Sequence, residues 1–227
     1  MLTLYQRTDC PFCWKVRIAL AELDVEHQLV DTELGEKHPE VGRLSPTGSV
    51  PVLVDGELAI WESAVILDYL DARYGPGRLI SSDPVEQSRE RLLQVYSDKL
   101  VGGCLKQIVF EKRSRPESEW DAEKIREGEN QWRDCQAWLA RSLDGRQYFG
   151  AMYSAADCAL AARFGVAEAY AAGVTGEFPQ LLQWYQAVVA RPSWERAYPT
   201  HFIRAAYAVE QIIILEKFQR RVKSRAD

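Results

Sequence analysis

"LTLYQRTDCPFCWKVRIALAEL", residues 2–23, decides how the rest of the chain is read. Residues 2–6 form a short strand-like run, while Val16, Ala19, Leu20 and Leu23 recur at helical spacing after Pro11, so a strand passes through a polar break into a helix. A C-x-x-C pair, Cys10 and Cys13, stands at that junction. With Pro11 as the first helical residue, Cys10 is the N-cap, and the free N–H groups and positive dipole end of the helix favour its thiolate. Lys15 and Arg17 add local positive charge. Cys13, three residues on, returns to the same face and is placed to attack a mixed disulfide formed at Cys10. Other readings of the pair are two buried apolar thiols, or an iron–sulfur cluster shared between subunits. A zinc site would need about four ligands, and no second C-x-x-C or nearby His pair supplies them, so no metal is expected.

Outward from this stretch, "EHQLVD" (26–31) reads as a second strand, and "VPVLVDGELAIWE" (50–62) as a hairpin turning at Asp55-Gly56. A helix follows from Ser63 to about Tyr74, with Val65, Ile66, Tyr69 and Leu70 as its apolar stripe. The order β-α-β, an unassigned segment, then β-β-α suits a small mixed sheet with helices on its faces. "YGPGRLISSDP" (74–84) concentrates turn residues, and beyond it helical patterns run over 84–112, 117–143, 154–172, 178–190 and 193–208. The expected architecture is an α/β domain at 1–76, a linker at 77–84 and an all-α domain at 85–227.

The composition is that of an ordinary globular chain: 227 residues, 47% hydrophobic and 27% charged. A net charge of −5 argues against a nucleic-acid partner. The apolar runs fall well short of the roughly 20 residues that span a bilayer, and no leader pattern opens the chain, so a cytoplasmic protein without a membrane partner is expected. Five cysteines in such a setting are read as reduced thiols, with Cys104, Cys135 and Cys158 as packing residues. Tyr5, alternating with Leu4, is read as core, and Trp120, Trp132, Trp138, Trp184 and Trp194 as core and interhelix packing. Tyr96, Leu100, Gly103, Cys104 and Gln107 share a face of the first long helix and are candidates for a second-substrate wall. The stretch 209–227, apolar first and basic last, reads as an extra helix or tail.

"CPFC" after the first strand, "SPTGSVPVLVDG" (45–56) and "WESAVILDYLDARYG" (61–75) together resemble the thioredoxin-like domain of cytosolic glutathione transferases. "YSAADCALAARF" (153–164) resembles the capping-box segment of that family's helical domain. The resemblance implies the two-domain glutathione transferase fold, glutathione as co-substrate and a homodimer. It implies that Pro51 is a cis-proline exposing the backbone of Val50 to the cysteinyl part of glutathione. Glu62 and Ser63 would hold the γ-glutamyl end; a helix N-terminus at Ser63 suits the α-carboxylate on physical grounds. Phe12 joins the same site, and Lys37 or His38 would meet the glycine carboxylate. Ser154 and Asp157 would form a buried capping box with a folding role.

Many members of the family activate glutathione with a tyrosine or serine hydroxyl. Here the corresponding residue is Cys10, which resembles the omega, dehydroascorbate-reductase and glutaredoxin-like members. A thiolate beside a bound thiol favours a mixed disulfide, so glutathione-dependent thiol–disulfide exchange on a disulfide substrate is the expected reaction. Cys13 departs from the omega-like pattern and leaves monothiol and dithiol routes both open. Two other readings stay beside it: a transferase that conjugates glutathione to small electrophiles, and a non-enzymatic binding protein on the same fold, like the glutathione-transferase-like bacterial regulator of RNA polymerase.

Overall fold

The computed structural model describes residues 1–33 and 38–202; Lys37 and the 209–227 stretch lie outside the described residues. Strand β1 (Leu2–Gln6) turns Leu2, Leu4 and Gln6 inward and leaves Thr3 and Tyr5 half-buried. Tyr5 is therefore not core: its ring meets the edge of His38 at 5.5 Å. The period-2 alternation that suggested a core position puts it on the opposite face from Leu4.

Helix α1 (Pro11–Glu22) crosses over to β2 (Gln28–Asp31), which pairs parallel to β1. Within the segment left unassigned from sequence lies a short helix α2 (Pro39–Leu44). Strands β3 (Val52–Asp55) and β4 (Leu58–Trp61) form the expected hairpin around Gly56, whose φ of +61° is the conformation glycine adopts without cost. The sheet order is β2-β1-β3-β4, and α3 (Ser63–Tyr74) follows β4 directly. Asp71, near the end of α3, accepts from the N–H groups of Gly77, Leu79 and Ile80 at 3.1, 2.7 and 3.3 Å and so fixes the path into the second half.

The second half is helical. It comprises α4 (Pro84–Tyr96), a π-helical turn (Ser97–Val101), α5 (Gly102–Ser114), a 3-10 turn (Glu117–Glu119), α6 (Ala122–Leu143), α7 (Ala155–Ala169), α8 (Pro179–Val189) and α9 (Pro192–Ala197). The helix expected unbroken over 84–112 is interrupted by the π-turn, and the one expected over 193–208 stops at Ala197. Ser154 and Asp157 do form the capping box of α7. Asp157, fully buried, also accepts from Phe149 N and Trp184 Nε1, tying a loop and α8 to that helix start. Of the tryptophans, Trp132, Trp184 and Trp194 are buried, whereas Trp138 is 40% exposed and Trp120 half-buried.

Helix α1 lies between the two halves. Every residue from Cys13 to Ala21 is buried, which an amphipathic surface helix would not allow. Trp14 enters a notch at Gly165 of α7, where a Cβ would come within 2.3 Å of the ring, and packs on Trp194 at 4.7 Å. Lys15 and Arg17, embedded in this apolar helix, need partners, because an unpaired buried charge is costly. Lys15 finds Asp98 of the π-turn at 2.7 Å. Arg17 donates to Gln6 Oε1, to Thr8 O at 2.7 Å and to Ala197 O at 3.1 Å.

Candidate functional site

Strand register brings three separate stretches to one end of the sheet. Tyr5 pairs with Val52 and Val52 with Trp61, so the end of β1, the start of β3 and the end of β4 lie side by side. Cys10, Pro51 and Glu62–Ser63 are the residues just beyond those ends. The Val50–Pro51 peptide bond is cis, and Val50 stands outside the strand ladder. His38 reaches the same end through its contact with Tyr5 and sits at the N-cap of α2.

Glu62 is the N-cap of α3, exposed, with φ +68°, a conformation that costs a non-glycine residue of order 1–3 kcal/mol. Ser63 is buried at the first helical position. Free N–H groups, a hydroxyl and an adjacent carboxylate thus occupy one helix start, an arrangement that can take a group carrying both a carboxylate and an ammonium.

Cys10 is the N-cap of α1, as its sequence context required, and is 7% exposed. Its thiol is lowered to about 6, first by the Cys13 thiol, against the opposing effect of burial, and then by the Arg7 guanidinium and the backbone N–H groups of Cys13 and Phe12. Cys13 is completely buried and moves the opposite way, well above an ordinary thiol, through burial first and then through its interaction with Cys10. Its sulfur accepts the Arg7 N–H at 3.5 Å. The two thiols are thus shifted in opposite directions.

Several charged residues that sequence reasoning passed over surround this end of α1. Arg163 of α7 stacks over the Phe12 ring at 4.3 Å and pairs with Asp98 at 3.5 Å, while the Lys15 ammonium lies 5.7 Å from the centre of the same ring. Gly102 makes room for the guanidinium, since a Cβ there would meet its Cζ at 2.9 Å. Arg7 and Arg113 both pair with buried Asp9, at 2.7 and 3.7 Å. A lone arginine in the otherwise apolar stretch of α7 was a legible signal for Arg163; Asp98 carried none.

The proposed second-substrate face is arranged differently from its expectation. Tyr96 stacks on Trp138 of α6 at 4.2 Å, Cys104 lies 3.9 Å from Cys135 of α6, and Gln107 borders Gly128 of α6, so these three face another helix. Leu100 and Gly103 are exposed. The π-turn lies between Tyr96 and Cys104, so the stretch is not one regular helix. The residues of this segment turned to α1 and its flanking loop are Asp98 and Arg113.

A cavity of about 530 Å³ bounded by Glu22, Arg78, Tyr148, Tyr153 and Arg191 lies at the far end of α1 from Cys10. Among the described residues no cluster of three or more His, Cys, Asp or Glu could hold a metal ion, and no helix is long and apolar enough to cross a membrane.

A four-stranded mixed thioredoxin-like sheet with a cis-proline, joined to a helical half, is the architecture of glutathione S-transferases. Residues 4–78 match the family model for the glutathione S-transferase N-terminal domain, and the chain has the glutathione S-transferase fold. It is 28% identical to glutathione S-transferase A of Pleuronectes platessa, covering 90% of this chain and 94% of that one. A stringent starvation protein A homolog of Haemophilus influenzae is 34% identical, over 42% of this chain and 45% of its own length. Among solved structures, the theta class glutathione S-transferase of Xanthomonas axonopodis pv. citri, with glutathione bound, superposes with a TM-score of 0.78 at 25% identity, covering 88% of this chain and 97% of that one.

Proposed function

We propose that this protein is a glutathione-dependent thiol transferase that works through Cys10 by a monothiol route. The observation that carries the reading is the N-cap position of Cys10, whose thiol is lowered to about 6 beside a partner thiol that is raised. In a glutathionylated substrate, the Cys10 thiolate attacks the glutathione sulfur, the substrate thiolate leaves, and Cys10 holds glutathione as a mixed disulfide. A second glutathione thiolate then attacks that disulfide, giving glutathione disulfide and restoring the Cys10 thiolate. Cys13, buried and protonated, is a poor competitor for the second step.

Glutathione would lie along the end of the sheet, with Val50 offering its backbone beside Pro51, Glu62 and Ser63 taking the γ-glutamyl end, and Phe12 and His38 flanking it. The cations around Phe12 would favour the thiolate states through which every step passes. Exposed Leu58, Trp61 and Val65 on the first half and Leu92, Val95 and Leu100 on the second supply the apolar surface for a homodimer. Five free thiols suit a reducing compartment such as the cytoplasm.

The test is peptide-resolved mass spectrometry after incubation with glutathione disulfide. A glutathione adduct on Cys10 that persists in Cys13→Ser and vanishes in Cys10→Ser supports the reading; a wild-type Cys10 left unmodified overturns it. A second reading is a non-enzymatic binding protein on the same fold. That reading expects no heat of glutathione binding on calorimetric titration, whereas the thiol transferase expects saturable binding.

A further inference from the structure

Cys104 and Cys135 are thirty-one residues apart in sequence, yet their sulfurs lie 3.9 Å from each other across the α5–α6 seam. Further along the same seam, α6 comes close to the α5 backbone. A Cβ on Gly128, two turns before Cys135 on α6, would meet the Cys104 carbonyl oxygen at 3.3 Å and Ile108 Cγ1 at 2.8 Å. The 3.9 Å between the sulfurs has to close to about 2.05 Å for a disulfide to form across the seam.

The two thiols have unequal surroundings. Cys104 is buried, and its one S–H is shared between Val101 O at 3.1 Å and Cys135 Sγ at 3.9 Å. Cys135 is half-buried and reachable from solvent. It is lowered to about 7, first by the hydrogen bond from Cys104, against burial, and then by the Tyr96 hydroxyl. Cys104 is raised, first by that same bond and then by burial. An accessible thiolate backed by a buried thiol is the division of labour between an attacking and a resolving cysteine.

We propose that Cys104 and Cys135 form a second dithiol centre, in the helical half and separate from Cys10, that a small-molecule disulfide converts to an α5–α6 disulfide. The Cys135 thiolate attacks one sulfur of the disulfide RSSR, whose S–S bond breaks, and one RS⁻ leaves. Cys104 then loses its proton and attacks Cys135 Sγ in the mixed disulfide, expelling the second RS⁻. Two protein thiols are oxidised, RSSR is reduced to two RSH, and the two protons released by the cysteines end on the two departing thiolates.

The experiment treats the full-length protein with hydroxyethyl disulfide, which contains no glutathione and so tests this centre independently of the Cys10 reading. Unreacted thiols are alkylated in denaturant and the unreduced tryptic peptides are analysed. The expected result is loss of both free peptides, 100–106 and 134–141, and appearance of one cross-linked species lighter by two hydrogens than their sum. In Cys104→Ser a stable hydroxyethylthio adduct is expected on Cys135; in Cys135→Ser no adduct and no cross-link. Alkylatable Cys104 and Cys135 after treatment, or a wild-type adduct on Cys135 that never closes onto Cys104, overturns the proposal.

Discussion

Replacing Cys13 with alanine isolates the largest influence on Cys10. The Cys10 thiol stands at about 6, against 9.0 for an ordinary thiol on the same scale, and the Cys13 thiol leads the causes. A hydrogen bond to a charged group contributes about 1.5–3 kcal/mol. At 1.36 kcal/mol per unit, that corresponds to about 1 to 2 pH units. The Cys13 sulfur is also engaged by the Arg7 N–H at 3.5 Å, so the lower end applies. Cys13→Ala should move the Cys10 midpoint up by about one pH unit, to near 7. Cys13→Ser, which keeps a donor, should stay near the wild type. The assay is the pH dependence of iodoacetamide alkylation, read by mass on the tryptic peptide 8–15. At pH 6 the rate should fall about fivefold in Cys13→Ala and converge with wild type above pH 9. A wild-type midpoint near the ordinary thiol value, or a Cys13→Ala midpoint no higher than wild type, would refute the argument.

Ser63→Ala should weaken glutathione binding about tenfold by removing one hydroxyl contact to the α-carboxylate, as measured by calorimetric titration; an unchanged Kd would remove Ser63 from the site. Gly165→Val should lower stability by about 1–3 kcal/mol because its side chain would strike the Trp14 ring, a loss visible as a Tm drop of about 2–4 °C per kcal/mol. Glu22 is held below the ordinary carboxylate value: burial would raise it, but hydrogen bonds from Arg191 and Ser193 prevail. A depressed acid stabilises the fold above its unfolded pKa and loses that contribution as pH falls through the folded value. The stability gap between wild type and Glu22→Gln in urea should therefore be full above about pH 5 and close on acidification. A gap that widens below pH 4 would contradict it.

Much of the candidate site was legible because its elements are local. Cys10 at a helix start needs Pro11 and the apolar spacing after it; Ser63 at another needs the hairpin and the stripe behind it. Both are written within about a dozen consecutive residues. The packing of Tyr96, Cys104 and Gln107 against α6 and the π-turn at Ser97–Val101 were not legible, because neither leaves a mark in composition. Tyr5 was misplaced for a related reason: alternation shows that two faces differ, while burial of each depends on what packs against the sheet.

By itself the sequence determined the order of elements, the α/β half followed by a helical half, the N-cap position of Cys10 and the capping box at Ser154 and Asp157. Those follow from neighbours within one or two turns of chain. Tertiary structure alone decided that Lys15 meets Asp98, that Arg163 stacks on Phe12, and that Cys104 lies beside Cys135. Each of these joins residues from separate helices, and such contacts depend on how helices cross and how closely glycines at 102 and 128 let them approach. The chemistry proposed at Cys10 therefore begins with a motif, while the charges of Lys15, Asp98 and Arg163 around it are placed by the packing.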